Sequence, residues 1–93
     1  MNSNLFMVPR IGHGFRLQWE DAQDCFVLLY PEGMVKLNQS AGEILSRCDG
    51  ARSAAAIVAD LEAAFATTGL ERDVLAFIDI AGQQRWLAWD DPA

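Results

Sequence analysis

The hydrophobic pattern of this 93-residue chain changes period once, at Asn38, and that switch limits the fold more than any other feature. Before it, apolar residues recur at every second position. Phe15, Leu17 and Trp19 fall on one side of residues 15–20, with Arg16, Gln18 and Glu20 on the other, the period of a half-buried strand. Trp19 is therefore expected in the core. Residues 25–30 are almost wholly apolar, as in a central strand covered on both faces. Residues 34–37 form a short third strand after the turn Pro31-Glu32-Gly33, where proline sets one backbone angle and glycine is free to take a positive one. Strands joined this briefly make an antiparallel meander. Residues 9–14, with two glycines around His13, read as a loop.

After Asn38 the period becomes helical. Ala41, Ile44, Leu45 and Cys48 lie at i, i+3, i+4 and i+7. Ser40 and Glu43 have capping-box spacing, Asn38 is an alternative cap, and Gly50 suits a left-handed stop. A second helix is expected from Ser53 to about Thr67, with the stripe Ile57, Val58, Leu61 and Phe65 and with Gly69 past its end. A third runs from Glu71 to Gln84, with Val74, Phe77, Ile78 and Ala81 on one face and Arg85 near its end. Strands then helices, segregated, define an α+β domain: a three-stranded antiparallel sheet followed by three α-helices, arranged like a winged helix. The length fits one domain over 1–93, with flexible ends expected at 1–4 and 90–93.

Composition removes several functions. A formal net charge of −6 repels phosphate backbones and anionic headgroups, so neither nucleic acid nor a membrane surface is expected as a partner. The third helix sets Arg72 and Arg85 against Glu71, Asp73 and Asp79, the wrong sign for a DNA groove. No apolar run reaches about 18 residues and no signal-peptide pattern opens the chain, so a cytoplasmic location is expected. Cys25 and Cys48 are read as buried free thiols, and one histidine without a close cysteine pair leaves no structural zinc site. Catalysis lacks convergent groups. His13 has no acidic or nucleophilic neighbour in a recognisable arrangement, Glu20-Asp21 reads as a charged turn, and the thiols lack a basic partner. No catalytic residue, cofactor or metal is expected.

Peptide binding suits the pattern better. The third strand ends the meander with a free edge, which can accept another strand through backbone hydrogen bonds. The third helix is apolar around more of its circumference than a core stripe needs, with Leu75 on one shoulder and Ile80, beside Asp73 and Gln84, on the other. The expected peptide-binding residues are Met34, Val35, Lys36 and Leu37 on the strand and Asp73, Phe77, Ile80 and Gln84 on the helix. Trp86 and Trp89 follow that helix, either as a lid over the core or at an interface.

Tyr30-Pro31-Glu32-Gly33, Val35-Lys36-Leu37-Asn38, Ala41, Ile44-Leu45 and Cys48-Asp49-Gly50 resemble the signature of the PqqD family of pyrroloquinoline quinone biosynthesis. Pro9, Phe15-Arg16, Trp19-Glu20, Val27-Leu28-Leu29, Asp73-Val74, Phe77 and Trp86-Leu87 extend the likeness over nearly the whole chain. The resemblance implies a non-catalytic chaperone for the ribosomal precursor peptide of the quinone, which it presents to a radical S-adenosylmethionine enzyme. It also implies a winged-helix-like precursor-recognition fold in which the leader peptide lies as an added strand between the third strand and third helix. Other readings are a leader-recognition module of another peptide-modifying system, an enzyme acting on a pathway intermediate, and a homodimer whose strand edges pair.

Overall fold

The computed structural model describes residues 4–90. Its elements are β1 (Arg10–Ile11), β2 (Arg16–Glu20), β3 (Cys25–Tyr30), β4 (Gly33–Lys36), α1 (Gln39–Leu45), α2 (Ala54–Ala64), α3 (Glu71–Gln83) and β5 (Leu87–Ala88). The order β2-β3-β4 is the expected antiparallel meander, with Leu28 opposite both Leu17 and Val35. Val27 and Leu28 are both buried, so the central strand is covered on both faces at its middle. Leu28, Leu37, Ile44, Leu45, Ile57, Leu61, Val74 and Ile78 belong to one apolar cluster that joins the sheet to all three helices. The ends expected to be flexible lie outside the described residues except for Asn4 and Asp90. The Asn4 side chain accepts from the Phe6 and Met7 N–H, and Asp90 pairs with Arg10.

Trp19 departs from the sequence pattern. It continues the inner row of β2 but is 46% exposed, because one pair short of the hairpin turn it borders an open cleft that it shares with Phe26 and with Gln39 and Glu43 of α1. Its ring packs edge-on against Phe26 and its Nε1 donates to Asp21 Oδ1 at 2.7 Å.

Local chemistry sets the helix ends. Asn38, not Ser40, caps α1, its Oδ1 accepting from Ala41 N at 2.8 Å. The helix stops at Leu45, short of the expected Cys48, because Arg47 N and Cys48 N turn to Ile44 O and Leu45 O in tighter three-residue steps. Gly50, at φ 77°, therefore stands outside the helix and donates its N–H to Pro9 O. Ser53 caps α2 through Ala56 N, and Met7 O and Leu5 O take the N–H groups of Ala54 and Ala55. Three of the four donors that a helix start leaves open are thus satisfied, two of them by the N-terminal segment.

α2 ends at Ala64, before the expected Thr67. Thr67 N bonds to Glu62 O and Ala66 N to Ala63 O, a Schellman closure with Ala66 at φ 50° in the place glycine favours. Gly69 lies beyond it, and Phe65, expected on the core stripe, becomes the cap residue and is 46% exposed. Arg85 closes α3 in the same way at φ 66°.

Residues 9–14 are not all loop, since Arg10 and Ile11 pair with Ala88 and Leu87. Gly12 makes this possible. Its N–H donates to Trp86 O at 2.8 Å, and a Cβ there would lie 2.1 Å from Arg85 O. The closure folds Trp89 back into the core, where its ring covers Gly82, and Trp86 is half-buried, so the two tryptophans form a lid.

Both cysteines are free, with Cys48 buried and Cys25 half-buried. Burial, with a smaller push from Asp49, raises the Cys48 thiol from 9.0 to about 12. A group whose folded pKa is raised contributes stability that is intact below its ordinary range and lost as pH climbs from there toward the folded value.

Ala66→Gly should stabilise the protein by about 0.5–1 kcal/mol, since relief of a left-handed alanine outweighs the extra freedom of glycine in the unfolded chain. Gly12→Ala should destabilise it and remove protection from the amide at position 12; urea titration and amide exchange measure both. Raising the pH from 8 toward 11 should lower stability more in the wild type than in Cys48→Ala. Equal slopes would refute the assignment of that loss to Cys48.

Candidate functional site

The free edge of β4 can be read atom by atom from one hydrogen bond. Leu37 N donates to Phe26 O at 3.0 Å, and this pair continues the β3–β4 register. In an antiparallel ladder, bonded and non-bonded pairs alternate. Leu28/Val35 and Tyr30/Gly33 are then the other bonded pairs, and the N–H and C=O groups of Met34 and Lys36 point away from β3. No other strand among the described residues pairs with that edge. Met34 is 53% exposed and Lys36 is exposed, whereas Val35 is half-buried and Leu37 buried against the core. The four strand residues divide accordingly: Met34 and Lys36 turn their backbone groups outward, and Val35 and Leu37 pack the strand onto the protein.

On α3, Asp73, Phe77, Ile80 and Gln84 fall within about 60° of one another at roughly 100° per residue. This stripe borders the buried row of Val74, Ile78 and Ala81. Phe77 is half-buried, Ile80 is 53% exposed, and Asp73 and Gln84 are exposed. Phe77 and Val35 both pack against the same apolar cluster, so strand and helix stand on a common floor.

A cleft of about 480 Å³ opens among α1, α2 and α3, with Asn38, the cap of α1, on its rim. Ile44, Leu61, Phe65, Leu70, Val74 and Phe77 line its apolar part, and Asn38, Gln39, Ser40, Glu43, Thr67 and Asp73 supply polar groups. Of the eight expected residues only Asp73 and Phe77 line it; Met34, Val35, Lys36, Leu37, Ile80 and Gln84 lie outside it. The α1 and α2 contributions were missed because each came from a stripe read as core. Phe65 lines the cleft with Leu61, one turn before it on the same stripe, and stands at the end of α2 where the Schellman turn begins. An apolar residue just ahead of the Thr67-Thr68-Gly69 turn was the one available signal.

Ion pairs brace the wall formed by α1 and α2. Arg47 bonds Asp60 through Nε and Glu43 O through a terminal nitrogen at 2.9 Å, and Arg52 also reaches Asp60 at 3.3 Å. The hydrogen bond from Arg47 holds the Asp60 carboxyl below its usual range. Glu62 accepts from Leu70 N at 3.0 Å and ties the end of α2 to the start of α3. His13 is exposed and no group of three His, Cys, Asp or Glu converges on a metal position among the described residues. No helix among them is long and apolar enough to cross a membrane.

Comparison with known proteins places this geometry. The family model described as Coenzyme PQQ synthesis protein D (PqqD) matches residues 25–87, which span β3 to Leu87 in β5. The chain is 56% identical over 85 residues to the PqqA binding protein of Pseudomonas aeruginosa (strain UCBPP-PA14), covering 90% of this chain and 92% of that one. It is 50% identical over 84 residues to the PqqA binding protein of Stutzerimonas stutzeri (strain A1501), covering 89% and 91%. The fold matches the solution NMR structure of the PqqD truncation of Methylobacterium extorquens PqqCD, a stand-alone recognition element for ribosomally synthesized, modified peptides. That match has a TM-score of 0.72 at 29% identity and covers 87% of this chain and 88% of that one. The antiparallel sheet, the helices that follow it and the sequence identity agree: this chain belongs to the PqqD family.

Proposed function

We propose that this chain binds the ribosomal precursor peptide of pyrroloquinoline quinone as an added strand on the outer edge of β4 and presents it to a radical S-adenosylmethionine enzyme. The observation that carries the reading is an unpaired edge, in a PqqD-family chain, whose last outward-facing residue, Lys36, lies two positions before Asn38, which lines an apolar cleft. Two relatives are named for binding PqqA, and the matching solved structure is titled a recognition element for modified ribosomal peptides.

The chemistry of such binding follows from the edge. Met34 and Lys36 would each exchange a pair of backbone hydrogen bonds with the peptide, which gives affinity without regard to sequence. Peptide residues opposite Val35 would turn their side chains inward, toward Phe77 and the cleft. Residues opposite Lys36 would lie beside its ammonium, which favours a carboxylate there. Asp73, Ile80 and Gln84 would meet the peptide from the helix side. The chain itself would make and break no bond, and the reading locates it in the cytoplasm, where a ribosomal peptide first appears. A second copy offering its own β4 edge would compete for the same hydrogen bonds, so a homodimer formed that way would exclude the peptide.

Titrating the labelled protein with precursor peptide should shift the amides of Met34–Leu37 and Asp73–Gln84; unchanged spectra at saturating peptide would sink the proposal. Met34→Pro is a sharper probe, because it removes an N–H that faces away from β3 and is tolerated on an edge strand. We expect the thermal midpoint to stay near that of the wild type. Peptide affinity should fall about tenfold, the effect of roughly 1.4 kcal/mol and of the order expected for a lost backbone hydrogen bond.

A further inference from the structure

The parity that frees Met34 and Lys36 on one side of the sheet also frees two residues on the other. Phe26, Leu28 and Tyr30 bond toward β4, so Cys25, Val27 and Leu29 bond toward β2, where they face Glu20, Gln18 and Arg16. The N–H and C=O groups of Leu17 and Trp19 therefore point outward from β2. Among the described residues no strand pairs with this edge either. The sheet has two open edges of equal hydrogen-bonding capacity, and the peptide needs only one.

Their surroundings differ in chemistry. The β4 edge leads into an apolar cleft, whereas the β2 edge ends beside a smaller one of about 320 Å³. Trp19 and Phe26 form its aromatic wall, Asp24 and Glu43 contribute carboxylates, and no lysine or arginine lines it. Glu43 is shared with Arg47 at 3.5 Å. Arg52, Arg47 and Arg10 are paired elsewhere, on Asp49, Asp60 and Asp90. Trp19 is exposed yet held in place from two sides, by the Phe26 ring at 5.0 Å and by the hydrogen bond to Asp21. A fixed, exposed indole next to carboxylates favours a cation over its face.

We propose that the outer edge of β2, with Trp19, accepts an extended basic segment of the peptide-modifying enzyme while the precursor peptide occupies β4. The proposal rests on the β4 reading above. A residue paired with Trp19 across a new ladder carries its side chain on the same face as the indole. A lysine or arginine there lies along the ring, within reach of the acidic cleft. A strand added outside β2 and another outside β4 extend the sheet to five strands and hold enzyme and peptide together with neither blocking the other.

The test measures binding of the radical S-adenosylmethionine enzyme and of the precursor peptide, separately, to the full chain and two sets of variants. Trp19→Ala with Asp24→Asn alters the β2 edge; asparagine keeps the positive φ of 55° that Asp24 adopts. Met34→Pro alters the β4 edge. The first set should weaken enzyme binding tenfold or more, leave peptide affinity unchanged, and reduce the salt dependence of enzyme binding. Met34→Pro should do the reverse. Wild-type enzyme affinity in the Trp19 and Asp24 variants, or no enzyme binding by the wild-type chain, would overturn the proposal. Loss of peptide binding by the wild-type chain would instead refute the β4 reading, so the two failures are distinguishable.

Discussion

The hydrogen bond from Leu37 N to Phe26 O closes the β3–β4 ladder, and the arrangement of the sheet depends on it. Because bonded and non-bonded pairs alternate, this one contact determines the side to which every backbone group of β3 is committed. Even-numbered residues serve β4 and odd-numbered residues serve β2. The outward groups of both neighbours are then determined as well. A slip of one residue would exchange the sets and turn the inward row of Leu17, Leu28 and Val35 to the opposite face. Burial of Leu28 at the centre of the cluster is what forbids the slip.

The helical layer serves the sheet in a second way. α1 begins immediately after β4, and its Asn38 cap stops the strand while its own carbonyl starts the helix. The strand consequently leads into the residue that begins the cleft lining, Asn38. Arg47 and Asp60 hold α1 to α2, and Glu62 holds α2 to the backbone of Leu70 ahead of α3, so the cleft walls are braced by polar contacts around an apolar floor. Such bonds at the surface contribute little stability one by one. Their effect is positional: they tie the cleft walls to one another.

The chain ends lock this layer from behind. β1 lies against β5, and the same segment gives Met7 O and Leu5 O to the start of α2. That closure depends on Gly12, where any side chain would meet the Arg85 carbonyl, and it carries Trp89 onto Gly82. Lid and strap therefore depend on two positions without side chains.

Residues 15–90 state much of this by themselves. Alternation in β2, the apolar run of β3, the Pro31-Glu32-Gly33 turn and the helical stripes of Ile44, Ile57 and Val74 determine the order of elements and most of the core, because burial of an apolar face is a local, periodic demand. The strand edge at Met34 and Lys36 was legible for the same reason. Tertiary structure alone decided three matters. Trp19 satisfies the strand period yet is 46% exposed, since sheet and α1 leave an open cleft beside it. Phe65 satisfies the helix period yet lines a cleft with Leu61 at the end of α2, where Ala66 takes the left-handed turn that a glycine three residues later had suggested. The pairing of β1 with β5 joins segments some 75 residues apart. Local pattern states what a residue would prefer to bury, but only the finished packing determines which of those residues run out of partners, and here both clefts are lined by such residues.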